Sequence, residues 1–350
     1  MRALLLLIAL TACKGSTKSA TPSGDYCRGE SHYVAAPTPL GTLGGSSVRP
    51  TNTFSIVARD PVTGDLGVAV QSHWFSVGSA VTWAEPGVGA VATQAFAEPG
   101  YGPKGLALMR DGVAPADAIA QLTAADPQSA TRQLGFVDAQ GRVASHTGAK
   151  CIAFASSKTG DGYTVQANIM ANDKVVPAMA QAFETTKGDL ADRMLAALDA
   201  AQATGGDLRG CQSAAILIVS GNKTDKPWAE KKLDLRVEDA AEPLKELHRL
   251  VTLARAYDHM NKGDAALEKN DIAGAAEHYT TATRMEPNNT EMAFWAGVSL
   301  AGGGQYDAGL PLVRRALKSD PVYVELLKRV VDPPAVISKE NAERLLREAR

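Results

Sequence analysis

A threonine at the start of a strand-like segment is the residue of this sequence best suited to nucleophilic chemistry. Thr53 opens the run T-F-S-I-V-A-R-D, and Ser55 follows two positions later, so both hydroxyls lie on one face of a β-strand. A hydroxyl becomes an effective nucleophile when an adjacent base accepts its proton. A threonine at this position also has a structural interpretation, because β-branched residues favour strands.

Other polar residues interrupt segments of small or apolar residues, where they could orient a substrate or hold an oxyanion. The candidates for catalysis beside Thr53 and Ser55 are Asn168 and His146, and those for substrate binding are Thr93, Gln94, Tyr101 and Ser213. Each has a structural alternative, since buried amides also satisfy backbone groups and His146 could shape a turn. Tyr101 lies with Glu98 and Lys104 in a Pro/Gly-rich stretch that predicts a loop lining a cleft.

The segments around these residues predict an antiparallel sheet packed against helices. Thr53–Asp60 and Leu66–Ser72, separated by a Pro/Gly/Asp turn, predict a β-hairpin. Amphipathic helices are predicted at 175–183 and 190–203. Further strands are predicted at 87–95, 132–138, 142–146, 163–169, 213–220 and 232–237. Hairpins without βαβ alternation indicate an α+β fold, compatible with a four-layer αββα sandwich.

The last third of the chain repeats with a period of 34 residues. The matched pairs are Gly263 and Gly297, Ala282 and Ala316, and Pro287 and Pro321. This period resembles the tetratricopeptide repeat, with interhelical turns at 270–272 and 304–306. The helices at 244–260 and 322–350 are expected to cap the two repeats. Such repeats bind partner peptides in a concave groove, while assembly into a homo-oligomer and an intramolecular lid stay open as alternatives.

The first residues resemble the signal of a bacterial lipoprotein. Arg2 precedes the apolar run Leu4–Leu10, which is too short to span a bilayer, and Cys13 follows a small residue. We expect a signal peptide at 1–12, lipid attachment at Cys13 and a flexible tether at 13–52, rich in Ser, Thr, Gly and Pro. This predicts a membrane-anchored protein of the bacterial cell envelope, in the outer membrane or periplasm. The alternative is an ordinary signal peptide and a soluble secreted protein.

Composition argues against several classes of partner. The net charge of −2 over 350 residues gives no basic footprint for nucleic acid. No His or Cys residues fall at metal-ligand spacing, so neither a metal nor another cofactor is predicted. If Cys13 is acylated, Cys27, Cys151 and Cys211 remain, and Cys151 with Cys211 is the pair to test first for a disulfide. Unpaired thiols are the alternative.

Six sequence blocks occur in an order that resembles domain of unknown function family 1028, over roughly residues 53–253. The blocks are T-F-S-I-V-A-R-D at 53–60, G-V-A-V at 67–70, G-V-G-A-V-A-T-Q-A at 87–95, Y-G-P-K-G-L at 101–106, H-T-G at 146–148 and Q-S-A-A at 212–215. Members of that family resemble the N-terminal nucleophile (Ntn) hydrolases, which mostly cleave amide bonds. The resemblance implies an Ntn-like domain at 53–240, followed by a helical repeat domain at 241–350.

The mechanism implied by this resemblance uses Thr53 Oγ as nucleophile and its own α-amino group as base, acting on an unknown small-molecule or peptide amide. No Lys or Arg lies in the strand 88–95, where proteasome-like relatives place a lysine. Thr53 is internal, so this route requires a cut between Asn52 and Thr53. Two alternatives remain: an inactive binding or scaffolding lipoprotein, and an unprocessed enzyme that uses Thr53 or Ser55 with His146 as base.

Overall fold

The computed structural model describes residues 53–331 and 336–349. The predicted signal peptide, Cys13, Cys27 and the tether lie outside these residues. The described strands are β1 (Thr53–Arg59), β2 (Leu66–Ser72), β3 (Thr82–Glu85), β4 (Gly89–Ala95), β5 (Arg132–Asp138), β6 (Val143–Thr147), β7 (Ser156–Gly160), β8 (Tyr163–Ala167), β9 (Ser213–Val219) and β10 (Lys231–Val237). No helix among the described residues is long and apolar enough to cross a bilayer.

The described helices are α1 (Val77–Val81), α2 (Tyr101–Arg110), α3 (Pro115–Ala124), α4 (Val175–Thr185), α5 (Leu190–Ala203), α6 (Pro243–Glu268), α7 (Ile272–Met285), α8 (Thr290–Gly302), α9 (Tyr306–Ser319), α10 (Val322–Arg329) and α11 (Lys339–Glu348). Helix α5 is capped at its N-terminus by the Asp189 carboxylate, which accepts from the Asp192 backbone N–H. Its bounds match the helix predicted from the sequence.

Two antiparallel sheets form the centre of the first domain. The larger sheet has the strand order β10-β9-β2-β1-β8-β7, and the smaller sheet has the order β3-β4-β5-β6. The predicted hairpin is the pair β1 and β2, in which Thr53 lies opposite Ser72 and Arg59 lies opposite Leu66. Strand β1 therefore occupies the interior of the larger sheet, with β8 as its other neighbour.

Side-chain alternation along the strands builds three apolar layers from these two sheets. Phe54 and Ile56 of β1 pack against α4, α5 and the start of α6. Val57, on the opposite face of β1, packs between the sheets with residues of β2, β4, β5 and β9. Leu134 and Phe136 of β5 pack against α2 and α3 on the far side of the smaller sheet. The predicted four-layer αββα sandwich is thus confirmed.

The C-terminal helices form the predicted repeats. A Cβ atom at Gly263 would meet the Tyr279 ring, and one at Gly297 would meet Val313, so both glycines let paired helices cross closely. Asn270 and Gly304 stand at equivalent turns, with φ angles of 59° and 90°. Helix α6 continues without a break from the sandwich into the first repeat.

Two expectations need correction. Tyr101 and Lys104 lie in the first turn of α2 and not in a loop, because Pro103 is tolerated there, where the backbone N–H groups have no intrahelical acceptor.

Cys151 is a free thiol that donates to the Arg132 carbonyl beside the smaller sheet, 3.3 Å away. Cys211 takes part in a disulfide next to β9 of the larger sheet. The predicted Cys151–Cys211 pair is therefore wrong.

Candidate active site

The inward-facing polar residues of seven strands meet at one end of the space between the two sheets. In the larger sheet Thr53 lies opposite Ser72, which lies opposite Ser213, and Ser55 lies opposite Gln166. In the smaller sheet Gln133 lies between Gln94 and Thr147. Antiparallel register brings the start of β1, β5 and β9 to the ends of β2, β4, β6 and β8, so polar residues far apart in the chain face one another.

Thr53 is fully buried at this end of the sandwich. Its Oγ1 donates to Ser72 Oγ across the hairpin, at 3.3 Å. Its carbonyl oxygen accepts from the Asn168 backbone N–H at 3.1 Å and from Gln94 Nε2 at 3.3 Å. The candidate nucleophile is therefore held in place through its backbone as well as through its hydroxyl.

The Ser55 hydroxyl both donates and accepts a hydrogen bond. It donates to Gln94 Oε1 and accepts from Gln166 Nε2, each at 2.6 Å. Attack on a substrate would require both hydrogen bonds to break inside a fully buried site. Ser55 therefore positions carboxamides and is a poorer candidate nucleophile than Thr53.

Gln133 joins the two sheets. Its Oε1 accepts from Gln94 Nε2 at 2.7 Å and from Asn168 Nδ2 at 3.0 Å. Its Nε2 donates to Thr147 Oγ1 and to the Ala167 carbonyl, both at 2.9 Å. This arrangement fixes the orientation of three side-chain amides, because each buried donor needs an acceptor.

A glycine makes room for the network. Gly135 lies on the inward face of β5, and a Cβ atom there would sit 2.3 Å from Gln166 Oε1. Gln166 can then reach Ser55 from the neighbouring sheet. Any side chain at position 135 would displace this carboxamide.

The candidate site is electrically neutral. Thr53, Ser55, Ser72 and the carboxamides of Gln94, Gln133, Gln166 and Asn168 carry no ionisable side chain. Among the described residues, no group of three or more His, Cys, Asp or Glu side chains is arranged to hold a metal ion. A base for Thr53 would therefore come from outside this set of side chains.

Two polar atoms near the site have no hydrogen-bond partner although they are buried. Asn168 Oδ1 is one, and Nδ1 of His73, the residue after Ser72, is the other. The His73 backbone N–H donates to the buried Asp207 carboxylate at 3.2 Å, which fixes the chain where β2 ends. Asn168 Oδ1 is an acceptor, whereas His73 Nδ1 donates or accepts according to the tautomer of the ring, and both atoms are available to a ligand.

Backbone strain accompanies two of the site carboxamides. Ala95 follows Gln94 with a φ of 67°, and Ile169 follows Asn168 with a φ of 56°. A β-branched residue rarely adopts a positive φ, at a cost of about 1–3 kcal/mol. Such conformations persist where surrounding contacts impose them, and they cluster at functional sites.

Three predicted site residues lie on the other face of the smaller sheet. His146 Nε2 contacts the Ser129 carbonyl at 2.9 Å, Thr93 Oγ1 donates to the Glu98 carbonyl at 3.2 Å, and Tyr101 donates to Asp126 at 3.0 Å. Strand alternation explains the separation, because His146 and Thr93 are the neighbours of inward-facing Thr147 and Gln94. His146 is therefore not within reach of Thr53 as a base.

Tyr101 lines a separate cleft of about 230 Å³ with Glu98, Lys104, Asp126 and Arg132. Burial and the hydrogen bond to Asp126 raise the pKa of Tyr101 well above its usual value. Burial acts to raise the pKa of Asp126, but hydrogen bonds from Arg132, the Gln128 backbone and Tyr101 together lower it. This cleft contains the charged groups that the Thr53 site lacks.

Ser213 lies at the same end as Thr53, but its hydroxyl binds the backbone of a distant loop. Its Oγ accepts from the Val77 backbone N–H at 3.1 Å and donates to the Trp74 carbonyl. These bonds hold the loop that follows β2. Ser213 therefore supports Ser72 and its surroundings.

Sequence reasoning did not single out Ser72, Gln133 or Gln166. The signal was present for Gln133, because the other residues on the inward face of β5 are Gly135 and Val137, neither of which is polar. Nothing local distinguishes Ser72, which closes a strand where hydroxyl residues are common. Its position opposite Thr53 follows from the hairpin register.

Comparisons with known proteins agree with this architecture. No curated protein matches the chain. A tetratricopeptide repeat model matches residues 260–324. The crystal structure of a DUF1028 protein from Silicibacter pomeroyi is similar, with a TM-score of 0.53 and 31% sequence identity, covering 58% of this chain and 86% of that chain. The model of a family of unknown function (DUF1028) matches residues 53–247, more than half of the chain, which therefore belongs to this family.

Proposed function

We propose that the sandwich domain is an amide-cleaving hydrolase of the Ntn type, with Thr53 as nucleophile after a cut between Asn52 and Thr53. The observation that supports this most directly is the position of Thr53. It is the first residue of a central strand in a four-layer αββα sandwich, and its buried hydroxyl is held by Ser72 among neutral hydrogen-bonding groups. A free α-amino group would supply the base that these side chains lack.

The cut would proceed as an acyl shift followed by hydrolysis. Thr53 Oγ attacks the Asn52 carbonyl carbon, the C–N bond breaks, and the proton of the hydroxyl passes to the departing nitrogen. Water then hydrolyses the ester, which releases the Asn52 carboxylate and a free amino terminus on Thr53. An unperturbed α-amino group has a pKa of about 7.7–8.0, which suits a base near neutral pH.

The same groups would act on an amide substrate. The α-amine accepts the proton of the Thr53 hydroxyl during attack and returns it to the leaving nitrogen. Ser72 Oγ lies within hydrogen-bond distance of that hydroxyl and can orient it. Asn168 Nδ2 donates to Gln133 Oε1 at 3.0 Å, whereas Asn168 Oδ1 has no partner and would be available to an N–H of a bound substrate. The substrate proposed is a small-molecule or peptide amide.

The proposed setting is the bacterial cell envelope, with the chain secreted by residues 1–12 and anchored through Cys13. This proposal depends on the sequence of the first residues alone. A cut before Thr53 would break the backbone between the lipid and the sandwich. Cys211 is disulfide-bonded and Cys151 is a free thiol, so release from the membrane would also require reduction of the disulfide of Cys211.

N-terminal sequencing and intact-mass measurement of the purified full-length chain test the proposal. We expect wild type and Thr53→Ser to begin at residue 53, because serine keeps the nucleophilic hydroxyl. We expect Thr53→Ala to stay uncut, and Ser55→Ala serves as the control for a lost hydroxyl in the same network. A Thr53→Ala chain that still begins at residue 53 would show that Thr53 does not perform the cut.

A second candidate function is partner binding by an inactive sandwich domain, and the repeats favour it. Tetratricopeptide repeats commonly bind peptides, and this chain carries a matching segment at residues 260–324. The hydroxyl of Ser55 and the amides of Gln94 and Gln133 are also engaged by protein groups, as in a structural network. Full rescue of a deletion phenotype by folded, uncut Thr53→Ala would favour this function over hydrolysis.

A further inference from the structure

A cavity on the outer face of the larger sheet contains a buried carboxamide with no partner. Gln71 of β2 points away from the inter-sheet space, because its neighbours Val70 and Ser72 point into it. It is fully buried, and neither its Nε2 nor its Oε1 makes a hydrogen bond. Leaving both polar atoms of a buried amide unsatisfied is costly and rare in folded proteins.

The cavity has a volume of about 410 Å³, within the size range of small-molecule sites. Gln71 forms its floor, and the last turn of α5 and the first turn of α6 form its walls. Pro243 and Leu244 supply apolar surface, and Asp199, Glu242, Lys245 and His248 supply charged groups. Gln202 supplies a second carboxamide. The site is therefore a concave surface that combines apolar, charged and amide groups, with the unpaired side chain of Gln71 at its base.

The charged groups of the wall are already paired. Lys245 Nζ lies 3.0 Å from Glu242 Oε2, and His248 Nε2 lies 2.8 Å from Asp199 Oδ2. A charged ligand would have to compete with these ion pairs. The lining consequently favours a neutral ligand.

We infer that this cavity binds a small neutral molecule bearing a primary carboxamide, lactam or urea edge, and that Gln71 recognises this edge. Such groups present a carbonyl oxygen and an N–H side by side. Gln71 offers the complementary pair, an N–H donor beside a carbonyl acceptor, so both of its unsatisfied atoms would be paired at once. A trans secondary amide, whose carbonyl and N–H point in opposite directions, cannot form both bonds with one side chain.

The proposed ligand site is distinct from the Thr53 site. Gln71 and Ser72 are consecutive residues on opposite faces of β2, so the cavity lies behind the strand that holds the candidate nucleophile. Binding at Gln71 needs neither a cut before Thr53 nor catalysis. The inference can therefore hold even if the proposed hydrolase function fails.

Titration of the ¹⁵N-labelled full-length chain with benzamide, δ-valerolactam and N,N-dimethylbenzamide tests the inference by NMR. We expect benzamide and the lactam to shift the Gln71 side-chain NH₂ resonances in a saturable way. N,N-dimethylbenzamide keeps the ring and carbonyl but has no N–H, and should bind at least about tenfold more weakly, since an unpaired buried acceptor remains. Equal affinity for benzamide and its dimethyl analogue, or no saturable shift with benzamide and the lactam, would overturn the assignment.

Gln71→Met provides the matching change in the protein, since methionine has a similar shape and no strong hydrogen-bonding group. We expect benzamide affinity to fall at least about tenfold while the thermal midpoint stays level or rises, because a buried unpaired amide has been removed. Gln181→Met makes the same substitution at an exposed position of α4 and should leave affinity unchanged. Thr53→Ala should bind like wild type, whereas undiminished binding by Gln71→Met would exclude Gln71 as the recognition residue.

Discussion

The space between the two sheets has two ends built from the same strands and opposite chemistry. At the polar end, β1, β4 and β5 present Thr53 and Ser55, Gln94 and Gln133. At the apolar end, the same faces of the same strands present Val57, Ala90 and Val137. The contrast shows that the sandwich does not need amides in order to close, because apolar packing already joins the sheets at one end.

The polar end is a costly way to fill a core. Each of its buried amides must find a partner, and a partly satisfied network is less stable than an apolar one. The network also coincides with two positive φ angles, at Ala95 and Ile169. A buried amide network whose cost is accompanied by strained backbone at neighbouring residues supports a functional role for this region.

Replacing the central amide should produce the largest difference between the two ends. Gln133→Met conserves shape but removes the acceptor of Gln94 and Asn168 and the donor of Thr147 and Ala167. We expect a loss of about 3 kcal/mol or more in the free energy of unfolding, since several buried groups lose their partners. Urea unfolding measures it, and a loss below 1 kcal/mol, on the order of one net hydrogen bond, would mean that the network adjusts easily.

Filling the space beside Gln166 should have the next largest effect. Gly135→Ala would place a Cβ atom 2.3 Å from Gln166 Oε1, so the carboxamide must move away from Ser55. We expect a cost of about 1–3 kcal/mol, as for other overpacked sites. Gly67→Ala is the control, because its Cβ would meet only apolar side-chain atoms that have no hydrogen bond to lose, Met194 Sδ at 2.8 Å and Ile218 Cγ1 and Leu190 Cδ2 at 3.2 Å. A larger loss for Gly67→Ala in urea unfolding would contradict this order.

A shape-conserving change at the apolar end should cost less. Leu66 is fully buried between the sheets, and Leu66→Met keeps an apolar side chain of similar volume. We expect a loss of less than about 1.5 kcal/mol, because no hydrogen bond depends on this side chain. The unfolding free energies of Leu66→Met and Gln133→Met, measured in urea under the same conditions, separate the effect of shape from that of hydrogen bonding. Equal losses for the two variants would remove the contrast between the ends.

The smallest expected effect is a change in stability with pH. It arises at His248 of α6, which lies outside the space between the two sheets. The hydrogen bond to Asp199 raises the pKa of His248 above 6.5, burial opposes the shift, and Asp192 and Arg255 act in opposite directions. The stabilisation by His248 is therefore complete below pH 6.5 and is lost as the pH rises through the higher folded pKa. The unfolding free energies of wild type and His248→Gln should converge between about pH 6 and pH 8. A difference that grows over this interval would show the opposite sign.

The hairpin and the repeats were accessible from the sequence because their signals are local. Val- and Ile-rich runs around a Pro/Gly/Asp turn predicted β1 and β2, and the period of 34 residues predicted the helix pairs. The edge strands β3 and β7 were not predicted. Ser156–Gly160 is largely exposed and polar, so it lacks the apolar alternation from which strands are recognised.

The site was only partly accessible from the sequence. Thr53, Ser55, Gln94 and Asn168 were named and do come together, because all four lie at strand ends on inward faces. His146 and Thr93 were also named, but each is one position out of phase with the inward face. Which alternate residues of a strand face inward depends on how the strand pairs with its neighbours. A single strand's sequence does not reveal this pairing register.

By itself the sequence determined the family, the strand at Thr53, the repeats and the supply of polar residues in apolar strands, since each is written in neighbouring residues or in a fixed period. Tertiary structure decided which of those residues meet: Ser72 at Thr53, Gln133 between the sheets, and His146 on the far face. It also exposed Gln71 as an amide without a partner. The physical reason is that hydrogen bonding between distant strands depends on register and layer packing, which exist only once the chain has folded.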